Sequence, residues 1–222
     1  KSTTGILTLT GANASFAGTT TINAGELILQ HVSSLGTGAV TVNGGTLDLN
    51  YAVIGAVSNL IISNGGTITG GPTTSSVTTS GPTAAINTVL TGDGGLTKTD
   101  GGALSLNTPN FFTGAVEANT AGAVIKAAFL DDNSSSLGAG ALNDPTKLQL
   151  GAGAALEFTG TNNTVSSRSF TLTDSAGITA GAGAGTLTFT AAAKIDLVGN
   201  DPVLKLTANN SGNNIFRASL TD

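Results

Sequence analysis

Very few side chains in this sequence could carry out catalysis. Its 222 residues include one histidine, His31, and no cysteine. A nucleophilic triad of serine, histidine and aspartate needs an imidazole as its general base, so any such triad here would have to use His31. The repeat described below places His31 at a corner between strands, and we interpret it as a corner residue without a catalytic role.

The densest acidic site is the run Asp131-Asp132-Asn133. Paired carboxylates can cleave glycosidic bonds, and oxygen-rich clusters can bind Ca²⁺. No partner for this run is evident, since Arg168 and Arg217 stand alone in the sequence. We interpret the run as a solvated turn, with a metal site as the alternative. We therefore predict no catalytic, cofactor-binding or metal-ligating residue, and no cofactor.

The composition indicates an all-β protein. Only 9% of the residues are charged and 32 are glycine, whereas an ordinary soluble domain has about 25% charged residues. Threonine and valine favour strands, while glycine and asparagine favour tight corners. The net charge of −5 argues against nucleic acid as a partner, because phosphates are bound by clustered Lys and Arg. No apolar run reaches the roughly 18 residues that a membrane-spanning helix needs.

Residues 18–49 contain two copies of one unit at a spacing of 20 residues. Each copy has a short alternating strand, a corner rich in asparagine and glycine, and a second alternating strand. The matched pairs are Gly18 with Gly38, Ile22 with Val42, Asn23 with Asn43, Gly25 with Gly45, Leu27 with Leu47 and Leu29 with Leu49. Self-similarity at this period, with hydrophobic residues at every second position, is typical of a solenoid of stacked β-strand coils.

Further copies, at residues 5–9 and 62–68, extend this pattern. At about 20–25 residues per coil the chain would form nine or ten coils. One set of apolar residues should face inward and stack as a single column: Leu27, Leu29, Val40, Val42, Leu47 and Leu49. A second set should face solvent: Glu26, Ile28, Thr41 and Asp48.

Corner positions carry asparagine and phenylalanine. We predict that Asn23, Asn43 and Asn64 stack at successive corners, since asparagine bonds its neighbours and tolerates left-handed backbone. One phenylalanine recurs in each module, and we expect these rings to pack in the core or at corners: Phe16, Phe112 and Phe216. Residues 70–83, with Pro72 and Pro82, break the pattern and predict a longer loop. A mobile binding loop and an O-glycosylated tract are the alternatives there.

A larger repeat of about 97 residues is also present. Residues 96–106 match residues 1–9, and residues 136–138 match residues 34–36, with extra residues around 131–135. A third copy begins at residue 204. We predict one β-helix segment over residues 1–222, a fragment of a longer array, whose modules cover about 1–95, 96–195 and, truncated, 196–222.

The run from Leu7 to Leu27, LTLTGANASFAGTTTINAGEL, resembles the passenger-associated strand repeat of bacterial autotransporters. The usual form of that repeat is Leu-Thr-Leu-Thr-Gly-x-Asn-x-aromatic-x-Gly-Gly-Thr-x-hydrophobic-x-x-Gly-x-Leu. Weaker copies lie near residues 96–126 and 196–216. Residues 107–110 depart from the usual turn. The resemblance implies a right-handed parallel β-helix, exported through the outer membrane by a C-terminal barrel that this sequence lacks.

The resemblance also implies a function and a location. We expect a structural or adhesive passenger segment at the bacterial cell surface or outside the cell, not itself inserted in the membrane. It would act as a stalk, or as an adhesin that attaches to a host-cell protein, matrix or glycan through residues 70–83 or 131–145. The Gly-Asp-Ser-Gly run of serine-protease relatives is absent, so we predict no enzyme.

Two further possibilities follow from the same pattern. Parallel β-helices often bind or degrade polysaccharides, and such an enzyme is the alternative function, although a chain with no Trp and one Tyr has few sugar-stacking rings. Unpaired strand edges at the two ends would also permit self-association.

Overall fold

The computed structural model of the protein describes residues 1–31, 34–50, 60–63, 66–69, 77–79, 83–87, 89–90, 95–99, 101–199 and 201–221. Apart from one 3₁₀ turn at Pro145–Lys147, the regular structure in these residues is all β. The strands in chain order are β1 (Ile6–Leu9), β2 (Thr20–Ile22), β3 (Glu26–Leu29), β4 (Val40–Asn43), β5 (Thr46–Asp48), β6 (Leu60–Ser63), β7 (Thr67–Thr69), β8 (Val77–Thr79), β9 (Thr83–Ile86), β10 (Leu96–Lys98), β11 (Gly102–Leu106), β12 (Val116–Ala118), β13 (Ala123–Ala127), β14 (Leu130–Asp131), β15 (Ser134–Ser135), β16 (Leu148–Leu150), β17 (Ala155–Phe158), β18 (Thr164–Ser166), β19 (Phe170–Leu172), β20 (Ala176–Ala180), β21 (Leu187–Phe189), β22 (Lys194–Leu197), β23 (Leu204–Ala208), β24 (Ile215–Phe216) and β25 (Ser219–Thr221).

Successive coils build two long parallel sheets. Sheet 1 has the order β1-β3-β5-β7-β9-β11-β13-β17-β20-β23, and sheet 2 has the order β2-β4-β6-β8-β10-β12-β16-β19-β22-β25. Within the described residues each sheet has ten strands, so each coil contributes one strand to each sheet. A third sheet, β18-β21-β24, covers only the last coils. The predicted parallel β-helix is confirmed with roughly the expected number of coils, while its right-handed winding stays a prediction.

The strand register follows the repeat found in the sequence. Leu7 pairs with Leu27, and Leu27 pairs with Leu47, so 20 residues make one coil. Some later coils are longer: Ala176 pairs with Leu204, 28 positions further on, and in the longest coil Lys126 pairs with Glu157, 31 positions further on. The extra residues of this longest coil form β14, β15 and the 3₁₀ turn, in the place where the sequence predicts an insertion.

Alternation along the strands gathers the apolar side chains into one core. All six residues predicted to face inward are buried. Those predicted to face solvent are half-buried, because strands of the neighbouring coils lie about 4.8 Å away on either side. Equivalent positions in successive coils therefore stack, as Leu27, Leu47 and Ile68 do.

The recurring phenylalanines do not share one environment. Phe112 is buried and Phe216 packs against the core, whereas Phe16 is 45% exposed and lies outside the core, at a turn in which its amide donates to the Asn13 carbonyl. Phe16 follows β1, the terminal strand of sheet 1, which has a neighbour on one side only. Its ring instead lies over Gly18, where an added Cβ would be 2.7 Å from the ring.

The loop predicted at residues 70–83 is corrected in part. Val77–Thr79 is strand β8 of sheet 2, paired with β6 and β10, and Thr83 begins β9 of sheet 1. The other residues of this range, including both prolines, lie outside the described residues. Short strands without strong alternation carry little signal beside two prolines, which explains the missed strand.

Candidate functional site

The long coil carries an antiparallel hairpin, and the described residues of the other coils contain no such pairing. Leu130 pairs with Ser135 and Asp131 with Ser134, while the tip residues Asp132 and Asn133 are exposed. Leu130 and Ser135 are buried, so the hairpin is rooted in the core and presents its tip to solvent. This feature makes the predicted loop at residues 131–145 the most distinctive surface among the described residues.

Ser136 anchors the base of the hairpin. Its hydroxyl donates to the Leu106 carbonyl at 3.0 Å and accepts from the Phe129 amide at 3.1 Å. Asn110 donates from Nδ2 to the carbonyl oxygen of Ser136 at 2.6 Å. The matching corner of the first module has the same bond, from Asn13 Nδ2 to the Ser34 carbonyl at 2.9 Å. The two corners thus share the same asparagine-to-serine hydrogen bond. The boundaries of the larger modules stay a prediction.

The carboxylates of the acidic run at the hairpin tip accept hydrogen bonds from neighbouring residues of the protein. Asp132 accepts two hydrogen bonds from Ser167 in the next coil, from the amide to Oδ1 and from the hydroxyl to Oδ2, each at 2.7 Å. Asp131 Oδ1 accepts from the Asn133 amide at 3.2 Å, which makes a tight turn. Among the described residues no group of three or more His, Cys, Asp or Glu side chains could hold a metal.

Arg168 is the side chain whose position sequence reasoning missed. It is only 2% exposed, and its Nη2 donates to the Gly138 carbonyl at 2.9 Å. Its Nε and Nη1 atoms are the buried side-chain nitrogens without a hydrogen-bond partner in the described part of the chain. Burial lowers the pKa of this guanidinium, and the negative charge of Asp132 opposes that change.

A period-two signal could have identified the burial of Arg168. Thr164, Ser166 and Arg168 occupy alternate positions and are buried, although the alternation ends there because Ser169 and Thr171 are buried as well. The polar members hid this pattern, because hydrophobic alternation is the usual sign of an inward-facing row.

A cavity of about 270 Å³ lies between the hairpin and Arg168. Its lining includes Arg168, Asp132, Asn133, Gly138 and Phe111. Phe111 is 57% exposed and gives the cavity an apolar surface. The site therefore combines a buried cation, an exposed aromatic ring, an amide and a carboxylate. This combination could bind a small polar ligand.

The other candidate residues do not join this site. His31 is exposed at the corner after β3, where its carbonyl accepts from the Ser34 amide at 3.1 Å. Arg217 is exposed after β24. Asn43 Nδ2 donates to Asn23 Oδ1 at 3.0 Å, so the predicted stacking holds for this pair. Asn64 lies outside the described residues.

Lys98 is a second buried cation that sequence reasoning missed. It is almost fully buried at the end of β10, and its Nζ donates to the Gly101 carbonyl at 3.3 Å. The lysine therefore belongs to the inward-facing row of its strand, where it contacts the backbone of the next corner.

The described chain is a parallel β-solenoid with one decorated coil and no membrane-spanning helix among its described residues. Over 131 residues, 59% of its length, the sequence is 37% identical to the adhesin BmaC autotransporter of Brucella suis biovar 1 (strain 1330). The chain spans 4% of that relative's length. No family model and no solved structure matches the chain. The similarity and the solenoid both fit an autotransporter passenger, the class that the repeats resemble.

Proposed function

We propose that this chain is a structural and adhesive segment of an autotransporter passenger displayed at the bacterial surface or outside the cell. The stacked coils supply a stiff rod, because each coil is hydrogen-bonded to its neighbours along two sheets. The similarity to a protein named as an adhesin supports an adhesive role. The role proposed is binding, without an enzymatic reaction.

The hairpin coil is the segment proposed to contact the host surface. Paired residues of neighbouring coils are 31 or 32 positions apart here, the largest spacing in the described residues, where the other coils range from 17 to 28. The exposed hairpin tip is fixed to the next coil by Asp132 and Ser167. An exposed loop on a regular scaffold is a common arrangement for a binding site. The partner would be a host-cell protein, matrix or glycan.

Binding of the purified chain to cultured host cells and to immobilised matrix tests this function. The expected result is saturable binding that falls when the exposed hairpin tip is changed by Asn133→Ala. Val165→Ala, an exposed change on β18, is the matched control and should leave binding unchanged. Circular dichroism checks that each variant keeps its β-rich fold.

Two outcomes would overturn this proposal. A folded chain that binds no host surface would leave only the role of a spacer. Release of sugars from a polysaccharide, abolished by Asp131→Ala or Asp132→Ala, would establish an enzyme instead.

A further inference from the structure

Arg168 is the described residue whose burial is hardest to explain by folding alone. A guanidinium has five N–H donors and stays protonated in proteins. Here one nitrogen, Nη2, donates to the Gly138 carbonyl, while Nε and Nη1 have no hydrogen-bond partner among the residues that the structure describes. Buried charges are normally paired, because a buried charge without a partner strongly destabilises the folded protein. The unpaired nitrogens of Arg168 therefore point to a ligand that compensates the charge.

The nearby carboxylate does not fully supply that compensation. Both oxygens of Asp132 are hydrogen-bonded to Ser167, which holds the carboxylate against the next coil. Its charge still acts on Arg168 and favours the protonated guanidinium. The cation is thus retained beside a cavity in which an anionic group would find hydrogen-bond donors.

The cavity limits the size and chemistry of the ligand. Its volume of about 270 Å³ lies just below the roughly 300–1,000 Å³ of pockets for drug-sized ligands, so it suits a group of the size of one sugar ring. Phe111 offers an exposed aromatic face, on which the apolar face of a sugar can pack. With a net chain charge of −5, one carboxylate is favoured over a dense polyanion, which the whole chain would repel.

We propose that the cavity between the hairpin and Arg168 binds the carboxylate of an acidic sugar, of the uronic-acid or sialic-acid type. Arg168 donates charge-assisted hydrogen bonds to the carboxylate, and Phe111 packs against the sugar ring. Since Nε and Nη1 are buried, entry of the ligand breaks the two hydrogen bonds between Ser167 and Asp132 and displaces the hairpin tip. This site rests on the proposed adhesive function, for which it names the ligand class.

Isothermal titration calorimetry of the full 222-residue chain tests the site. The probes are methyl glucuronide and the methyl glycoside of N-acetylneuraminic acid, which distinguish the two sources of the carboxylate. Methyl glucoside, an oligoglutamate peptide and inorganic phosphate are the comparison ligands. We expect measurable binding of at least one acidic sugar and none of methyl glucoside.

Three substitutions localise the binding. Arg168→Gln should weaken it roughly tenfold or more, the usual effect of losing a charged hydrogen bond. Phe111→Ala should weaken binding of the acidic sugar by roughly several-fold, because the aromatic ring no longer packs against the sugar. Asp132→Asn should strengthen it, because it removes a like charge beside the ligand carboxylate. Arg217→Gln changes an exposed arginine elsewhere and should have no effect.

The outcomes separate this site from the proposed function. Equal binding of methyl glucoside, no binding of either acidic sugar, or binding unaffected by Phe111→Ala and Asp132→Asn would overturn the proposal, even if Arg168→Gln fails to fold. Tighter, Arg168-dependent binding of the peptide or of phosphate would also overturn it in favour of that anion. Host-cell attachment that survives Phe111→Ala after sugar binding is lost would overturn the role of this site in adhesion. Sugar binding without host-cell attachment would support the site and contradict the adhesive function.

Discussion

Glycines at the coil corners meet two separable structural requirements. Gly36 has a φ of +66°, and a Cβ added to it would lie 2.0 Å from the Phe16 carbonyl oxygen. Gly183 has a φ of +75° but open space around it, and Gly11 has open space without a positive φ. The three positions therefore distinguish backbone strain from close contact between coils.

Alanine at these three positions should give three levels of stability. Gly11→Ala should change the free energy of unfolding by less than about 0.5 kcal/mol. Gly183→Ala should cost roughly 1–2 kcal/mol, the cost of left-handed backbone. Gly36→Ala should cost more than about 2 kcal/mol, because the corner must also move away from the coil beneath it. Urea unfolding followed by circular dichroism measures the series, and equal effects at Gly36 and Gly183 would contradict it.

Asp144 gives the hairpin coil a measurable response to acid. It caps the 3₁₀ turn by accepting from the Thr146 hydroxyl at 2.6 Å and from the Thr146 amide at 3.0 Å. These bonds lower the pKa of its carboxyl below the ordinary 3.8. Because the folded pKa is the lower one, the stabilisation is present above the ordinary value and is lost as the pH falls through the folded pKa.

Thr146→Val should raise the pKa of Asp144 back toward its ordinary value, since the side-chain hydrogen bond is the largest cause of the shift. A carboxyl-detected NMR titration between about pH 2 and pH 6 measures this midpoint. Thr41→Val, on a different coil, is the control and should leave it unchanged. An unaltered midpoint in Thr146→Val would show that the hydroxyl does not set this pKa.

At the scale of the strand, the contribution of a leucine to the free energy of unfolding depends on the position of its strand in the stack. Leu7, Leu27 and Leu47 are partners in successive coils of sheet 1. Leu47 is fully buried, whereas Leu7 is 45% exposed because β1 is the terminal strand. Leu47→Ala should therefore cost about 2–5 kcal/mol, and Leu7→Ala less than about 1 kcal/mol. Thermal and urea unfolding of both variants tests this, and similar losses would contradict a one-sided stack at β1.

Sequence patterns predicted the regular elements well, because each strand pairs with a copy of itself. A 20-residue repeat of alternating residues determines both the strand and its partner, as the register of Ile6 with Glu26 shows. Strand β8 has no such alternation and was missed. The antiparallel pairing of β14 with β15 was also beyond the pattern, since it occurs once and repeats nothing.

The candidate site was less predictable than the fold. The sequence identified the insertion and the acidic run, but it left Arg168 as an isolated residue. The stacking of two coils brings Arg168 close to the hairpin, where its side chain donates a hydrogen bond to the Gly138 carbonyl, 30 positions away in the sequence. Such a contact depends on the length and path of the intervening loop, and neither is encoded by a local period.

The whole rod has apolar surface at both of its ends. Ile6 and Leu7 are exposed on the first coil, and Leu206, Ile215 and Leu220 are exposed on the last. A partly apolar groove of about 190 Å³, lined by Leu206, Ile215 and Phe216 among others, lies at the second end. Because the two ends differ, one copy can stack on the next head to tail, with strand edges paired.

The isolated chain should therefore associate end to end as its concentration rises. Leu206→Lys combined with Ile215→Lys should reduce this association, because it places charge on the exposed end. Val165→Lys adds charge to an exposed position on β18, which lies outside the first and last coils, and should not reduce association. Sedimentation velocity across a concentration series measures the effect. A chain that stays monomeric at all concentrations, or a Val165→Lys variant that is equally impaired, would contradict this assembly.

The variation in coil length has a mechanical consequence. A molecule stretched by its two chain ends should lose coils one at a time from an end, since each coil is bonded only to its neighbours. A regular coil of 20 residues would release about 70 Å of extended chain, and the 31-residue coil between Lys126 and Glu157 about 105 Å. In a single-molecule force trace the hairpin coil would thus give the longest step, followed by a step of about 95 Å from the 28-residue coil between Ala176 and Leu204, so the order of step lengths reports where along the rod unravelling has reached.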